Sequence, residues 1–361
     1  MRGGVMRFLT VEQMRAADRA AADEAKIPER TLMARAGAAL ARAAAALAAR
    51  RGVRSAVLVA GHGNNGGDAC VAARRLHGDG FRVQVIMTCV PATLKGAARE
   101  AWDDMRTAGV PYAVLASGES WDEAATPRGG IIVDGVLGTG CRGAPSGTAE
   151  QAIRWINRMR PSAWVVSADL PSGMNGDTGE TAGAAVRADV TVTFARPKRC
   201  FLNDAQAERT GHLIVADIGI PDDLCDRGAT AEPCELIALP ELARSFAGRA
   251  WDAHKGHCGH VCVIGGSEGF PHAPVLAALG AVRSGAGLVT LAAPAASACA
   301  AAAWVPEAML RTEGGPPAEE DLAAFDAVVA GPGLTTSERA RDRVARLLAH
   351  DGRLVLDADG L

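Results

Sequence analysis

The stretch that decides the fold is Ala60-Gly-His-Gly-Asn-Asn-Gly-Gly-Asp-Ala69, which contains four glycines. It follows the apolar run Ala56–Ala60, typical of a buried strand, and precedes Ala69–His77, which we predict to be a helix. A strand, a glycine-rich turn and a helix start together point backbone N–H groups at a phosphate. The alternative is a tight turn that uses glycine only for its positive φ, which would explain two of the four glycines. Two asparagines and an aspartate in the same stretch add amide and carboxylate groups, so we predict that the loop contacts a ligand.

Length and composition limit the classes of protein to consider. The chain has 361 residues, enough for two domains that each bury a core. The net charge of -3 and the single tyrosine offer neither a basic surface nor stacking platforms, so we expect no nucleic acid partner and no membrane partner. We find no apolar stretch of transmembrane length and no export signal. Nine cysteines, an odd number, are typical of reduced thiols in a cytoplasmic protein.

The first half of the chain alternates strands and helices. This alternation predicts an α/β fold, a Rossmann-like, doubly wound and mostly parallel sheet. The predicted strands are Ala56–Ala60, Val83–Met87, Ile131–Val133, Trp164–Ala168, Val190–Phe194 and an edge strand at His212–Asp217. The predicted helices are Thr10–Ala25 with a capping box, Arg30–Arg50, Ala69–His77, Leu94–Ala108 and Ala149–Arg158. The alanine-rich surface of the second helix predicts close packing against the sheet or against a second subunit in a homo-oligomer.

A second α/β pattern follows a connector rich in proline and mixed charge, from Pro221 to Ala250. Its predicted strands are His260–Ile264, Leu288–Ala292, Ala327–Ala330 and Arg353–Asp357, with a helix at Pro274–Ser284. The sequence stops just after the last of these strands, so we expect this second domain to be incomplete.

Polar groups follow three strands of the first domain. Asp134 precedes the glycine-rich run Gly138–Gly143, and Asp169 ends the next strand. Ligands in such sheets bind at the carboxyl ends of the strands, where these groups meet. Oxygens of Asn65, Asp134 and Ser172 would suit a weakly held hard cation, and carbonyl-rich shells can favour potassium. The alternative is that each aspartate only caps the next helix. We expect Asp169 to be the acid/base group at the mouth of the site.

A rival metal site lies at the start of the second domain. The run His254-Lys-Gly-His257-Cys258-Gly-His260-Val-Cys262 is rich in zinc-ligand residue types. No second C-x-x-C or H-x-x-H completes a tetrahedral shell, and the start of a buried strand explains the run equally well.

The motifs resemble a known family. G-H-G-N-N-G-G-D, D-G-V-L-G-T-G and D-L-P-S-G, with M-A-R-A-G before them, resemble the YjeF N-terminal epimerase domain of NAD(P)H-hydrate repair proteins over residues 9–220. H-K-G, G-G-S, R-S-G-A-G-L, G-P-G-L and D-A-D resemble the ribokinase-like dehydratase domain of the same proteins over residues 251–361. In this order the two sets are similar to the bifunctional bacterial form.

The resemblance implies a repair activity on hydrated NADH and NADPH, which exist as R and S forms. The first domain would interconvert the two forms, and the second would dehydrate the S form with ADP or ATP and Mg²⁺. By residue match, potassium would be bound by Asn65, Asp134 and Ser172. The match implies that the hydrate contacts Asn64, Asn65, Gly66, Gly67, Asp68, Gly138, Thr139, Gly140, Cys141, Arg142, Gly143, Ala144 and Asp169, and in the second domain Ala273 and Gly333.

The second domain departs from its family. The sequence lacks the family's later histidine-containing loop and its Gly-Thr-Gly-Asp segment, and His272 stands where glycine is common. We therefore expect the 361 residues alone to have no dehydratase activity. Two alternatives to the epimerase remain open: a non-catalytic module that binds a nucleotide or docks a partner through the same cleft, and a kinase of a small hydroxylated substrate.

Overall fold

The computed structural model describes residues 6–115, 121, 130–141, 143–227, 234–236, 243, 248–311 and 322–361. The chain forms two compact units, Met1–Ser245 and Phe246–Leu361, so the division falls within the predicted connector. All nine cysteines are free in the structure, and their redox state stays a prediction.

The first unit contains a seven-stranded sheet in which every neighbouring pair is parallel. Its strand order is β4-β3-β2-β5-β6-β7-β8, so the order reverses between β2 and β5, the usual location of a ligand crevice. The predicted α/β, parallel, doubly wound fold is confirmed. The strands are β2 Ser55–Ala60, β3 Arg82–Met87, β4 Tyr112–Val114, β5 Ile131–Gly135, β6 Trp164–Ala168, β7 Val190–Phe194 and β8 His212–Ala216.

The helices of this unit have identifiable starts and ends. Thr10 caps α1 through the predicted capping box with Gln13. Gly52, in the left-handed conformation, ends α2. The helices are α1 Val11–Asp23, α2 Glu29–Arg51, α3 Asn64–Gly78, α4 Gly96–Thr107, α5 Gly147–Met159, α6 Ala207–Thr210 and α7 Asp222–Asp226.

Helix α2 is a core helix of this unit. By length and composition alone it could cross a membrane, contrary to the sequence-based expectation that no stretch would qualify, but 61% of its apolar window is buried. Gly37 makes close packing against α3 feasible, because a Cβ there would lie 2.5 Å from the Cβ of Val71. Its alanines therefore pack within the unit, as one of the two sequence-based alternatives proposed.

Helix α3 begins at Asn64, five residues before the predicted start at Ala69. Six of the ten residues of the glycine-rich stretch are thus helical, and none of its four glycines has a positive φ. Three of the glycines, all except Gly63, are needed for space: a Cβ on Gly66 would lie 2.0 Å from the carbonyl oxygen of Gly61, and one on Gly67 would lie 2.6 Å from Met33 Sδ. Tertiary packing therefore overrides the low helix propensity of glycine.

Three short strands of the first unit escaped prediction. β1 (Met6–Phe8) pairs antiparallel with β9 (Cys234–Leu236), which lies in the predicted connector. β4, with three residues, extends the edge of the large sheet. All three are too short to show a period in the sequence.

The second unit contains a five-stranded parallel sheet in the order β12-β11-β10-β13-β14. The strands are β10 His260–Ile264, β11 Leu288–Ala292, β12 Met309–Arg311, β13 Ala327–Ala330 and β14 Leu354–Leu356. The helices are α8 Ala273–Arg283, α9 Ala295–Trp304 and α10 Glu338–Leu348. The four predicted strands and α8 are confirmed, whereas β12, α9 and α10 were not predicted.

Candidate active site

A cavity of 390 Å³ lies at the carboxyl ends of the large sheet, between the strand ends and helices α1, α2 and α3. Five residues predicted to contact the substrate line it: Asn64, Asn65, Asp68, Thr139 and Asp169. Asn64, Asn65 and Asp68 lie in the first turns of α3, and Thr139 follows β5. The cavity therefore occupies the position where the strand order reverses, as the fold predicts for a ligand site.

Asp169 is paired with a lysine that the sequence-based prediction missed. Lys198 follows β7, is 2% exposed, and donates from Nζ to Asp169 Oδ1. The hydroxyl of Thr193 also donates to this oxygen at 3.1 Å, and the backbone N–H of Phe194 does so at 3.3 Å. Asp169 has a φ of 63°, a left-handed conformation that aspartate tolerates better than most residues. Three donors and this backbone turn fix the carboxylate at the cavity wall.

Lys198 is itself held in place. Its Nζ donates at 3.1 Å to Thr193 Oγ1 and at 3.1 Å to the carbonyl oxygen of Phe194. A buried ion pair of this kind is costly to break, because removing one partner leaves the other charge uncompensated. The pair could have been suspected from the sequence, since Lys198 follows the end of a predicted strand at the same edge of the sheet as Asp169.

Two further carboxyl groups face the cavity without a hydrogen-bond donor among the described residues: Asp68 and Asp18. Burial raises the pKa of Asp68 well above its usual range, and the nearby carboxylates of Asp169 and Asp18 raise it further. Asp18 is exposed as a residue, but partial desolvation of its carboxyl group raises its pKa from 3.8 to about 6, although Lys198 opposes this shift. The cavity thus contains one paired carboxylate and two carboxyl groups whose pKa values are raised.

The predicted glycines have different positions. Gly66 and Gly67 are buried in α3 and provide close packing. Gly138 packs on Asn65, because a Cβ there would lie 2.4 Å from Asn65 Oδ1. These three residues shape the wall around Asn65 and do not line the cavity itself.

Apart from Thr139, the described residues of the second glycine-rich run also lie outside the set that lines the cavity, and Arg142 lies outside the described residues. The run turns at Cys141, whose N–H donates to the carbonyl oxygen of Gly138 at 3.1 Å. Substrate contacts by this run remain predictions for Gly140, Cys141, Gly143 and Ala144.

Ala273 and Gly333 belong to the second unit and lie next to each other there. A Cβ on Gly333 would be 3.3 Å from the Cβ of Ala273. Ala273 opens α8, and Gly333 has a φ of 72° in the loop after β13. The role predicted for them in hydrate binding stays a prediction.

The three predicted potassium ligands form one buried cluster. Asp134 is fully buried and accepts hydrogen bonds from Ser172 Oγ at 2.5 Å and from Ser167 Oγ at 2.8 Å. Asn65 Nδ2 donates to the carbonyl oxygens of Leu137 at 3.2 Å and Ala168 at 2.6 Å. Leu137 also links to the cluster by donating its N–H to Ser172 Oγ at 2.8 Å. The three residues therefore lie close together, and their role as potassium ligands stays a prediction.

The histidine- and cysteine-rich run of the second unit does not form a metal centre in the structure. Across the described residues, no group of three or more His, Cys, Asp or Glu side chains could hold a metal ion. His260 instead contacts Thr290 Oγ1 at 2.8 Å, and Cys262 is buried in β10.

The first unit therefore has the form of an α/β enzyme domain, with a strand-end cavity that contains a fixed carboxylate–ammonium pair. A model of the family described as YjeF-related protein N-terminus matches residues 29–200, and a model described as NAD(P)H-hydrate dehydratase matches residues 261–361. The chain belongs to the family of bifunctional NAD(P)H-hydrate repair enzymes, as the following relatives show.

The bifunctional NAD(P)H-hydrate repair enzyme of Coxiella burnetii is 35% identical over 342 residues, which cover 94% of this chain and 67% of the relative. That of Hyperthermus butylicus is 35% identical over 328 residues, covering 84% of this chain and 57% of the relative. The chain thus spans about three fifths to two thirds of the length of these relatives. The crystal structure of the yeast protein ynu0 has the same fold, with a TM-score of 0.54 and 20% identity, over 64% of this chain and 100% of that chain.

Proposed function

We propose that the first unit is an epimerase that interconverts the R and S forms of hydrated NADH and NADPH. The observation that carries this proposal is the Asp169–Lys198 pair at the wall of a cavity of 390 Å³. Inverting a hydroxylated carbon beside a ring nitrogen requires the movement of a proton, and a carboxylate within hydrogen-bond reach can accept it. Family membership supports the choice of substrate, since the curated relatives carry this activity in their names.

Asp169 and Lys198 have different roles in this proposal. Asp169 is the group that contacts the substrate and accepts or returns a proton. Lys198 is a positioning residue: its ammonium, held by Thr193 and Phe194, keeps the Asp169 carboxyl oriented. Preorganised charges of this kind stabilise a transition state without the cost of rearranging solvent.

The start of α3 suits the phosphates of the dinucleotide. Gly63 caps this helix without a side-chain hydrogen bond, so the first backbone N–H groups are available to a ligand. A helix N-terminus attracts anions through these groups and through the helix dipole. Asn64 and Asn65 lie at this end and line the cavity, so we expect them to contact the ribose or phosphate groups.

The cluster of Asn65, Asp134 and Ser172 fits a potassium ion. Among the described residues, every hydrogen bond to the buried Asp134 carboxyl comes from a neutral group, so no side-chain cation balances its charge. Burial raises the pKa of Asp134, as expected for such a carboxyl. A bound potassium ion would supply a positive charge next to the Asp134 carboxyl and hold the loops after β5 and β6 together. We expect potassium chloride to raise the melting temperature of the wild type relative to sodium chloride, and Asp134→Asn to lose this difference.

A coupled assay tests the epimerase. The purified full chain is added to mixed R and S hydrate of NADPH, together with a separate complete dehydratase and ATP, and the recovery of NADPH absorbance is followed. We expect the chain to accelerate consumption of the R form. Asp169→Asn should abolish the acceleration while ligand binding persists, and the exposed Asp204→Asn should match the wild type. If the wild type gives no acceleration but binds the hydrate, the alternative of a binding module gains support.

The second unit is proposed to contribute the dehydratase half of the family's activity. Its match to the NAD(P)H-hydrate dehydratase model supports this proposal, and we expect ADP or ATP with Mg²⁺ as its co-substrate. Recovery of absorbance without the helper enzyme would show that residues 246–361 dehydrate the S form on their own, contrary to our sequence-based prediction. A cytoplasmic location of the protein and its assembly into a homo-oligomer remain predictions.

A further inference from the structure

Asp18 lies on the wall of the cavity opposite the strand ends. Helix α1 turns one face toward the cavity, and Met14, Asp18 and Ala22 follow each other at the four-residue spacing of that face. Asp169 approaches from the other side, from the end of β6. A ligand in this cavity would thus meet both carboxyl groups, which lie within electrostatic reach of each other.

The two carboxyl groups have opposite environments. Asp169 accepts three hydrogen bonds, one of them from the Lys198 ammonium, and is thus held in place as a hydrogen-bond acceptor. Asp18 receives none from any described residue. The site thus holds one carboxyl group prepared as a base and one prepared as an acid.

The charges around Asp18 support its neutral form. The groups that face it are Arg19 of its own helix, Glu29 of α2, Asp68 of α3, and Asp169 and Lys198 at the strand ends; the thiol of Cys225 in α7 also lies within electrostatic reach. Burial is the largest influence and raises the pKa of Asp18 to about 6.

We propose that epimerisation proceeds by loss and return of water, with Asp18 as the acid and Asp169 as the base. This inference rests on the proposed function and deepens it. The carboxyl of Asp18 donates its proton to the departing hydroxyl, the carbon–oxygen bond breaks, and water leaves. The ring nitrogen supplies its electron pair to that carbon, which gives an iminium cation. Water then adds to the opposite face, and its proton passes to Asp169.

This sequence is balanced. One water leaves and one enters, and one proton moves from Asp18 to Asp169; proton exchange with solvent resets both groups. The reverse reaction uses the same steps with the roles exchanged. The alternative, opening of the ring at the carbon–nitrogen bond, keeps the original hydroxyl oxygen in the product.

Isotope incorporation separates these two routes. The purified full chain converts the R hydrate of NADPH in ¹⁸O-labelled water, and the S product is analysed by mass spectrometry at low conversion, with a sample lacking protein as the blank. We expect one ¹⁸O atom in each newly formed S molecule. Retention of the original oxygen would overturn the proposal while leaving the epimerase function intact.

Variants test the assigned acid. Asp18→Asn should lower kcat by about 100-fold or more, the contribution of a typical general acid, while the Kd for the hydrate changes by less than about threefold. The matched control is Asp23→Asn, an exposed residue of the same helix. The wild-type rate should fall as pH rises above about 6, where Asp18 loses its proton, and this decline should be absent in Asp18→Asn.

The outcomes distinguish the proposed epimerase function from the proposed role of Asp18. A wild type that does not epimerise at all refutes the proposed function. A wild type that epimerises, together with an Asp18→Asn variant of unchanged kcat, refutes only the role of Asp18. Fluorescence of the buried Trp102 and Trp155 confirms that the variant is folded.

Discussion

Replacing Asp18 by asparagine should stabilise the protein, and the size of the effect follows from its surroundings. In the folded state its pKa is about 6, whereas in the unfolded chain it returns to 3.8. Between these values the native state binds more protons, so stability from this group falls as pH rises through the window. At 1.36 kcal/mol for each pH unit, the loss reaches about 3 kcal/mol above the folded pKa, an upper bound because Asp18 is partly exposed and solvent screens its charge.

Asparagine does not titrate and is close in shape to the neutral acid, so it removes this cost. We expect Asp18→Asn to gain up to about 3 kcal/mol at pH 8, about half of that at pH 5, and nothing well below pH 3.8. Urea unfolding followed by tryptophan fluorescence measures the gain, because Trp102 and Trp155 are buried in the first unit whereas Trp251 and Trp304 of the second unit are exposed. Asp23→Asn should change stability by less than about 0.5 kcal/mol at any pH. A loss of stability in Asp18→Asn, or a gain independent of pH, would refute the electrostatic reasoning.

Four further measurements test other parts of the structure. Gly66→Ala should lower the free energy of unfolding, measured with urea, by at least about 1–3 kcal/mol, because its Cβ would lie 2.0 Å from a carbonyl oxygen. At Gly78 in the same helix an added Cβ meets open space, so Gly78→Ala should raise the free energy of unfolding by up to about 1 kcal/mol. Thr10→Ala removes the cap of α1 and should cost about 1 kcal/mol by the same assay, with an unchanged value arguing against the capping box. Iodoacetamide should label the exposed Cys299 early and Cys70 last, since burial raises the pKa of Cys70 to about 12; mass spectrometry after brief exposure would show the reverse order if this burial were wrong.

The sequence predicts the central strands well because they contain continuous apolar runs that are buried on both faces, such as Ala56–Ala60 and Ile131–Val133. The limits of prediction from the sequence are visible at helix α3. Gly66 and Gly67 have poor helix propensity, so local propensity alone predicts that the helix begins only at Ala69. The structure begins it at Asn64 because only glycine allows the contacts with Gly61 and Met33, and these contacts are not encoded locally.

In the candidate site, too, some residues could be predicted from the sequence and others could not. Asp134, Asp169 and Ser172 could be grouped in advance because each follows a strand, and parallel strands end at one edge of the sheet. Lys198 follows a strand too, but its pairing with Asp169 depends on how two loops cross, which no spacing reveals. Asp18 was beyond reach, because it lies on a helix whose docking onto the strand ends is a property of the folded unit alone.

The unpaired carboxyl groups of the cavity do not stabilise the fold, so their presence points to a role in catalysis. Asp68 is 5% exposed, Asp18 is an exposed residue, and no described residue donates a hydrogen bond to either carboxyl. A fold optimised for stability alone would place an apolar side chain at position 68, because a buried carboxyl without partners costs free energy in either protonation state. The close packing of α2 on α3 at Gly37 and the buried, largely apolar strands can offset such a cost within the same unit. The unpartnered carboxyl groups are therefore best explained by what they do for a ligand, since proton transfer requires a group whose proton is not already committed to the protein.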